Sequence, residues 1–151
     1  MPFIVEKDTG LIPQVLSAIL DECVNGVTLA DPDMEDAPIV YANKAFERLT
    51  GYGQEDIIGF NCRFMQGEDR DQPARQIISE AMKNSESVEV TLRNYKKDGS
   101  LFHNRLKITP LFDKKHRVIY YLGVQFDITQ QVDASNEIKE LNSLIEAMSP
   151  K

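Results

Sequence analysis

The chain has 151 residues, 42% hydrophobic and 27% charged, the balance of one globular domain and not of a disordered, fibrous or multidomain protein. Its 17 Lys+Arg against 24 Asp+Glu give a formal net charge of −7, so the dense positive field that neutralises nucleic-acid phosphates is missing and direct nucleic-acid binding is not expected. No apolar run reaches the ~18 residues of a membrane span, the opening MPFIVEKDTG lacks a secretory layout, and Cys23 and Cys62 have no CxxC spacing; a cytoplasmic protein without membrane contact, disulfide scaffold or metal site is expected.

From Leu11 to Cys23 the apolar residues Ile12, Val15, Leu16, Ile19, Leu20 and Cys23 recur at helical spacing, and Pro13 suits a first turn. Gly26 opens a short strand, Val27 to Ala30, and after the turn-rich DPDMEDAP a second runs from Ile39 to Ala42. Asn43 reads as the N-cap of a helix through Phe46 and Leu49 that Gly51 stops, with short helical turns after it. From Pro73 to Met82 the residues Ala74, Ile77, Ile78, Ala81 and Met82 share one helical face, which predicts a helix with that face buried. Val88, Val90 and Leu92 then alternate with Glu89, Thr91 and Arg93, and the turn Lys97-Asp98-Gly99 leads into a strand from Leu101 to Leu111. A second turn, Asp113 to Arg117, leads into a third long strand, Val118 to Asp127. These elements predict an α+β domain, a five-stranded antiparallel sheet with helices on one face. A closing helix from about Gln130 carries Ala134, Ile138, Leu141, Ile145 and Met148 at the spacing of a short coiled-coil seam.

Several polar residues fall where the pattern wants apolar ones. Asn94 shares parity with Val88, Val90 and Leu92, and Asn104 with Phe102, Leu106 and Ile108, so both carboxamides point toward the core. A buried amide without partners costs roughly 2 to 7 kcal/mol, so these two meet either a polar ligand or backbone and water at a strand end. The third long strand is ambiguous, because Val118, Leu122, Val124 and Phe126 lie on one face and Ile119, Tyr121, Gly123 and Gln125 on the other. Periodicity alone buries the first set; the alternative buries Gln125 beside the two asparagines and leaves an apolar strip outside that must be covered. Cys62 reads either as a small hydrophobe or as a reactive thiol, and His103 and His116 are not placed to form a Cys–His dyad with it. Arg63, Arg70 and Arg75 read either as phosphate ligands or as a solvated surface.

The run Gly59 to Gly67, GFNCRFMQG, resembles the GxNCRFLQG signature of light-oxygen-voltage (LOV) domains, the flavin-binding blue-light sensors of the PAS superfamily. The NYKKDG run that starts at Asn94, the Phe102-x-Asn104 pair and Gly123-Val124-Gln125 follow in the family's order, so the resemblance spans about Gly26 to Asp127. The stretch between Asp69 and Arg75 is most similar to bacterial short LOV proteins, which have no fused effector.

The resemblance implies a PAS fold and a flavin, FMN with riboflavin and FAD as alternatives. Cys62 matches the photoactive thiol that adds reversibly to flavin C4a, and Gln125 the glutamine that senses N5. Arg63 and Arg75 resemble phosphate-clamping arginines, Arg70 matches a further one in some short members, and Asn61, Gln66, Asn94 and Asn104 match polar flavin contacts. Thr28, Ala30, Met65, Ile78, Met82, Leu92, Leu106, Ile108, Tyr121 and Gly123 complete the expected binding set. Three positions depart from the family: Ser79 stands where many members carry another phosphate arginine, Met65 replaces a leucine, and Phe60 replaces an arginine. The implied organisation is a flanking helix over 1–25, a flavin-binding core over 26–128 and a C-terminal helix over 129–151 for output or dimerisation. A photosensor and no enzyme is expected, acting as a homodimer through the sheet face and flanking helices, with an unidentified downstream protein. The alternatives are a light-insensitive PAS ligand or redox sensor, or a flavin-dependent thiol enzyme.

Overall fold

The computed structural model describes residues 14–148. A leading helix α1 (Gln14–Asp21) precedes two short strands, β1 (Gly26–Ala30) and β2 (Ile39–Ala42). Two short helices, α2 (Lys44–Thr50) and α3 (Gln54–Ile57), a 3-10 helix (Cys62–Gln66) and α4 (Pro73–Lys83) follow. Three long strands, β3 (Val88–Tyr95), β4 (Leu101–Phe112) and β5 (Val118–Asp127), lead to α5 (Thr129–Met148). The strands form one antiparallel sheet of order β2-β1-β5-β4-β3, the expected α+β architecture. The last three strands are sequential neighbours, whereas β1 reaches across to β5, so early and late parts of the chain meet in mid-sheet.

One buried side chain joins the leading elements to the sheet. Asn43, fully buried, precedes α2 with extended backbone, and its Oδ1 accepts from Phe46 N at 3.1 Å and from Val27 N on β1 at 2.8 Å. Its Nδ2 donates to Leu20 O at 2.7 Å and Asn25 O at 3.0 Å. All the donors and acceptors of one amide are thus used on four separate backbone positions. At the other end of α2 Gly51 adopts φ +76 and donates its N–H to Glu47 O at 2.8 Å, the left-handed cap that a side chain disfavours.

Several sequence expectations are corrected. The apolar spacing predicts a leading helix from Leu11 to Cys23; residues 11–13 lie outside the described residues, and the helix ends at Asp21. Asp21 accepts from Lys44 N at 3.0 Å, and with the Asn43 contact to Leu20 this turns the chain away toward β1. Cys23 consequently lies past the helix, half-buried, its thiol on Ile19 O at 3.5 Å, and Ile19 is exposed. On α4, Ala74 and Ala81 are buried and Ile78 and Met82 half-buried, but Ile77 is 51% exposed because it sits off the face that Ile78 presents to the sheet.

On β5 the alternative parity is the observed one: Ile119, Gly123 and Gln125 are buried. The opposite face is not the bare strip that this parity implied, since Val118, Tyr120, Leu122 and Val124 are half-buried and only Phe126 is exposed. Leu29 and Thr109 flank Leu122, Lys107 is opposite Val124 and Arg105 opposite Phe126, so aliphatic stems share the cover. The seam of α5 is wholly solvent-facing: Ala134, Ile138, Leu141, Ile145 and Met148 are all exposed, and the helix buries no residue. Among the described residues no helix is long and apolar enough to cross a membrane.

Replacing Asn43 with Ala orphans two buried N–H groups and two carbonyls at once, and each unmet buried group costs about 1–3 kcal/mol. Urea denaturation of Asn43→Ala should therefore show a loss of about 2–6 kcal/mol, set by the two buried N–H groups because water can reach the part-buried carbonyls.

Candidate functional site

The inner face of the sheet carries one contiguous polar and apolar floor because of register. Leu92 is opposite Asn104 and Asn94 opposite Phe102, which makes the two asparagines diagonal neighbours on one face. Leu106 is opposite Gln125, and Gly123 sits between Thr28 and Ile108. Asn104 Nδ2 donates to Asn94 Oδ1 at 2.9 Å, and Gln125 Nε2 approaches Thr28 Oγ1 at 3.5 Å; Asn94, Asn104 and Gln125 are all buried. A Cβ added at Gly123 falls 2.6 Å from Thr28 Oγ1 and 2.9 Å from Gln125 Nε2, so only glycine leaves those side chains where they are.

The roof is set by anchors at its edges. Asn61 caps the 3-10 helix, accepting from Arg63 N at 3.0 Å, and donates from Nδ2 to Asp36 O at 2.7 Å, which ties the helix to the loop before β2. Arg63 pairs with the Asp36 carboxylate on the same loop. Tyr52 and Phe64 meet edge to face at 5.0 Å, fixing the helix from behind. At the start of α4, Gln72 behaves as an extra strand residue: its Oε1 accepts from Arg93 N at 2.8 Å and its Nε2 donates to Arg93 O at 2.9 Å. Asp69 accepts from Arg93 Nε at 2.7 Å, Arg93 Nη2 at 2.8 Å and Tyr95 OH at 2.7 Å. These bonds, the Arg93 pair first, hold the Asp69 carboxyl down at about 2.

Floor and roof enclose a cavity of about 500 Å³. Thr28, Ala30, Asn61, Cys62, Arg63, Met65, Gln66, Arg75, Ile78, Met82, Leu92, Asn94, Asn104, Leu106, Ile108, Tyr121, Gly123 and Gln125, gathered from six elements and the loop residue Asn61, all line it. Arg70 does not. The tight turn over 68–72, with Arg70 N bonded to Glu68 O and Gln72 N to Arg70 O, leaves its side chain exposed beside Gly67 O. Sequence reading missed Ala37, Ile39 and Lys83 as lining residues, and noted Ser79 only as a departure. For Lys83 a signal existed: it lies eight residues after Arg75, on the same column of the helix.

Two features define what the cavity can hold. Buried Gln66 Oε1 and Asn104 Oδ1 have no hydrogen-bond partner among the described residues, although both residues line the wall. Buried acceptors of this kind call for a ligand with donors, and the neighbouring amides accept or donate as needed. Burial pushes the Cys62 thiol above its ordinary range, Arg63 nearby only partly countering it, so the sulfur stays protonated at neutral pH. Among the described residues no cluster of His, Cys, Asp and Glu is arranged to hold a metal ion.

Comparison with known proteins agrees with this geometry. Residues 24–130 match the family model described as PAS domain, and the chain belongs to the PAS family. It is similar to a blue-light photoreceptor of Listeria monocytogenes, 39% identical over 82% of this chain and 49% of the relative, so the chain spans about half that protein's length. The solved LOV domain of the Erythrobacter litoralis EL346 blue-light activated histidine kinase is 40% identical, with a TM-score of 0.67 over 72% of this chain and 99% of that one. An RNA-binding light-oxygen-voltage receptor superposes over 95% of this chain and 41% of its own, with a TM-score of 0.79 and 36% identity. Within the PAS family the chain is a LOV domain, the blue-light-sensing class.

The Asp69 carboxyl titrates at about 2 in the folded chain against an ordinary 3.8, so its stabilisation is present above about pH 4 and disappears as pH falls through about 2. Asp69→Asn should lower the melting temperature at pH 7 and shrink the difference from wild type between pH 4 and pH 2, measured by thermal unfolding across pH.

Proposed function

We propose that the cavity binds a flavin, FMN in the first instance, and that the domain reports blue light through Cys62 and Gln125. The observation that carries this is the convergence of four carboxamides, Gln66, Asn94, Asn104 and Gln125, with one protonated cysteine around a single cavity of about 500 Å³. A heterocycle edge with alternating donors and acceptors suits Asn104 Oδ1 and Gln66 Oε1, which otherwise go unpaired. When bound, the flavin supplies the blue-light absorption and an excited ring that accepts sulfur at C4a.

The chain's own groups do the rest. Cys62 holds a neutral S–H against the cavity, so its sulfur is inert in the dark and its proton is available locally when light arrives. That state disfavours the thiolate enzyme reading and is consistent with a sensor that turns over no substrate. Gln125, on β5, can present either its oxygen or its nitrogen without a change of charge, and Thr28 Oγ1 can answer either orientation as acceptor or donor. Two residues on, Asp127 Oδ1 accepts from Thr129 N at 2.9 Å, at the first residue of α5. A change in the Gln125 hydrogen bond therefore reaches the output helix along one strand.

The reading includes the division into a 26–128 core and a 129–151 output helix, a cytoplasmic setting, and a homodimer formed by the outer sheet face and flanking helices. The exposed α5 seam with exposed Phe126 supports the dimer, since such a stripe is buried most readily by a second copy.

Absorption before and after blue light tests the site. Cys62→Ala should keep bound, fluorescent flavin and lose the reversible bleach, while Gln125→Leu should keep the bleach and lose the light-induced change in hydrogen exchange of α5. Sedimentation of the full chain should give dimers at tens of micromolar and of a chain truncated after Thr129 a weaker association; monomers of both, dark and lit, would remove the dimer from the reading.

A further inference from the structure

The cations around the cavity mouth are unequal. Arg63 is already matched by Asp36. Asp36 has φ +67 and Ala37 φ +43, two successive non-glycine residues in the left-handed region, and Asn61 Nδ2 on Asp36 O keeps this carboxylate beside Arg63. Asp36 thus offsets the charge that Arg63 brings. Arg75, whose Nη1 donates to Arg70 O, keeps its full charge, and Lys83 has no hydrogen bond or ion pair among the described residues. Both line the cavity.

Arg75, Ser79 and Lys83 stand at i, i+4 and i+8 on α4, each about 6 Å along the axis from the next. Ser79 lies midway, also lining the cavity, so an anion over its hydroxyl comes within reach of both longer arms. The last turn of this column is fixed to the sheet, because Tyr121 OH donates to Met82 O at 3.3 Å.

On the flavin reading above, we propose that Lys83 supplies the cation that holds the phosphate end of the bound flavin, with Ser79 beneath it and Arg75 on its other side. Once Asp36 has offset Arg63, the two remaining positive charges balance a phosphate monoester of about −2. A lysine acts there as a point charge on a flexible stem and not as a planar fork, so the subsite selects charge more than geometry.

The test is equilibrium binding of FMN and of riboflavin to the full chain freed of flavin. Lys83→Ala should weaken FMN by about fivefold and leave riboflavin unchanged, the second result also showing that the variant is folded. Lys83→Arg should bind both as wild type does, and adding Ser79→Arg to Lys83→Ala should restore FMN binding. Equal weakening of both flavins, or no change in either, would overturn the assignment. Wild-type protein that binds neither flavin would overturn the flavin reading itself, a different result that takes this assignment with it.

Discussion

A row of carboxamides on the inner face of the sheet keeps the core of this domain from closing. Asn94, Asn104 and Gln125 occupy positions that aliphatic side chains would fill in an ordinary antiparallel sheet, and their register brings them onto one floor. Packing α4 directly onto that floor would strand more buried amide atoms, each at a cost of about 1–3 kcal/mol. The hydrophobic core therefore splits in two. One cluster, around Ile39, Phe46, Ile57 and Met65, sits under the short helices, and the other, around Ala74, Val90, Leu92 and Ile108, sits under α4, with the cavity lined from both. The roof elements are held by bonds at their edges: Asn61 to the 31–38 loop, and Gln72 and Asp69 to the backbone and side chain of Arg93. Those anchors also cover part of β3, an edge strand whose unpaired backbone is otherwise open to another chain.

Floor and α5 are linked twice. Gln125 in the cavity precedes Asp127, which bonds Thr129 at the start of α5. Asn104 in the cavity follows His103, whose N–H donates to Thr129 Oγ1 at 2.9 Å and whose carbonyl accepts from Ile128 N at 2.9 Å. Strands β4 and β5 pair Asn104 with Asp127 and Leu106 with Gln125, so both connections belong to one stretch of ladder. A hydrogen-bond change at either amide acts on the same small clasp.

How much of this was legible in the chain depends on the kind of signal. The fold class, strand order in sequence, Asn43 cap and Gly51 stop follow from local rules, and they form as read. Residues of the cavity wall were legible through the motif around Cys62 and through strand parity at Asn94 and Asn104. Parity failed at β5 because both of its faces are rich in apolar residues, and only pairing with β1 and β4 decides which one is inside. Arg70 and Lys83 were misjudged in opposite directions: the resemblance turned Arg70 inward although the tight turn over 68–72 leaves it exposed, and Lys83, near a helix end, reads as solvent-facing although it lines the cavity, because the direction of each side chain depends on the tertiary path of the backbone. The α4 face was read one residue too wide at Ile77, since the pattern gives the period but not the width of the buried stripe.

The exposed apolar seam on α5 makes sense in energetic terms. A helix of 20 residues that buries nothing is close to marginal in water, so its position has little tertiary energy of its own to overcome. What fixes it to the domain is concentrated at Asp127, Ile128, Thr129 and Val132, where a few hydrogen bonds worth about 1 kcal/mol each are at stake. A hydrogen-bond exchange at Gln125 is of the same size. Shifting this helix needs no large conformational force, because the bonds that hold it are no stronger than the one Gln125 makes to Thr28.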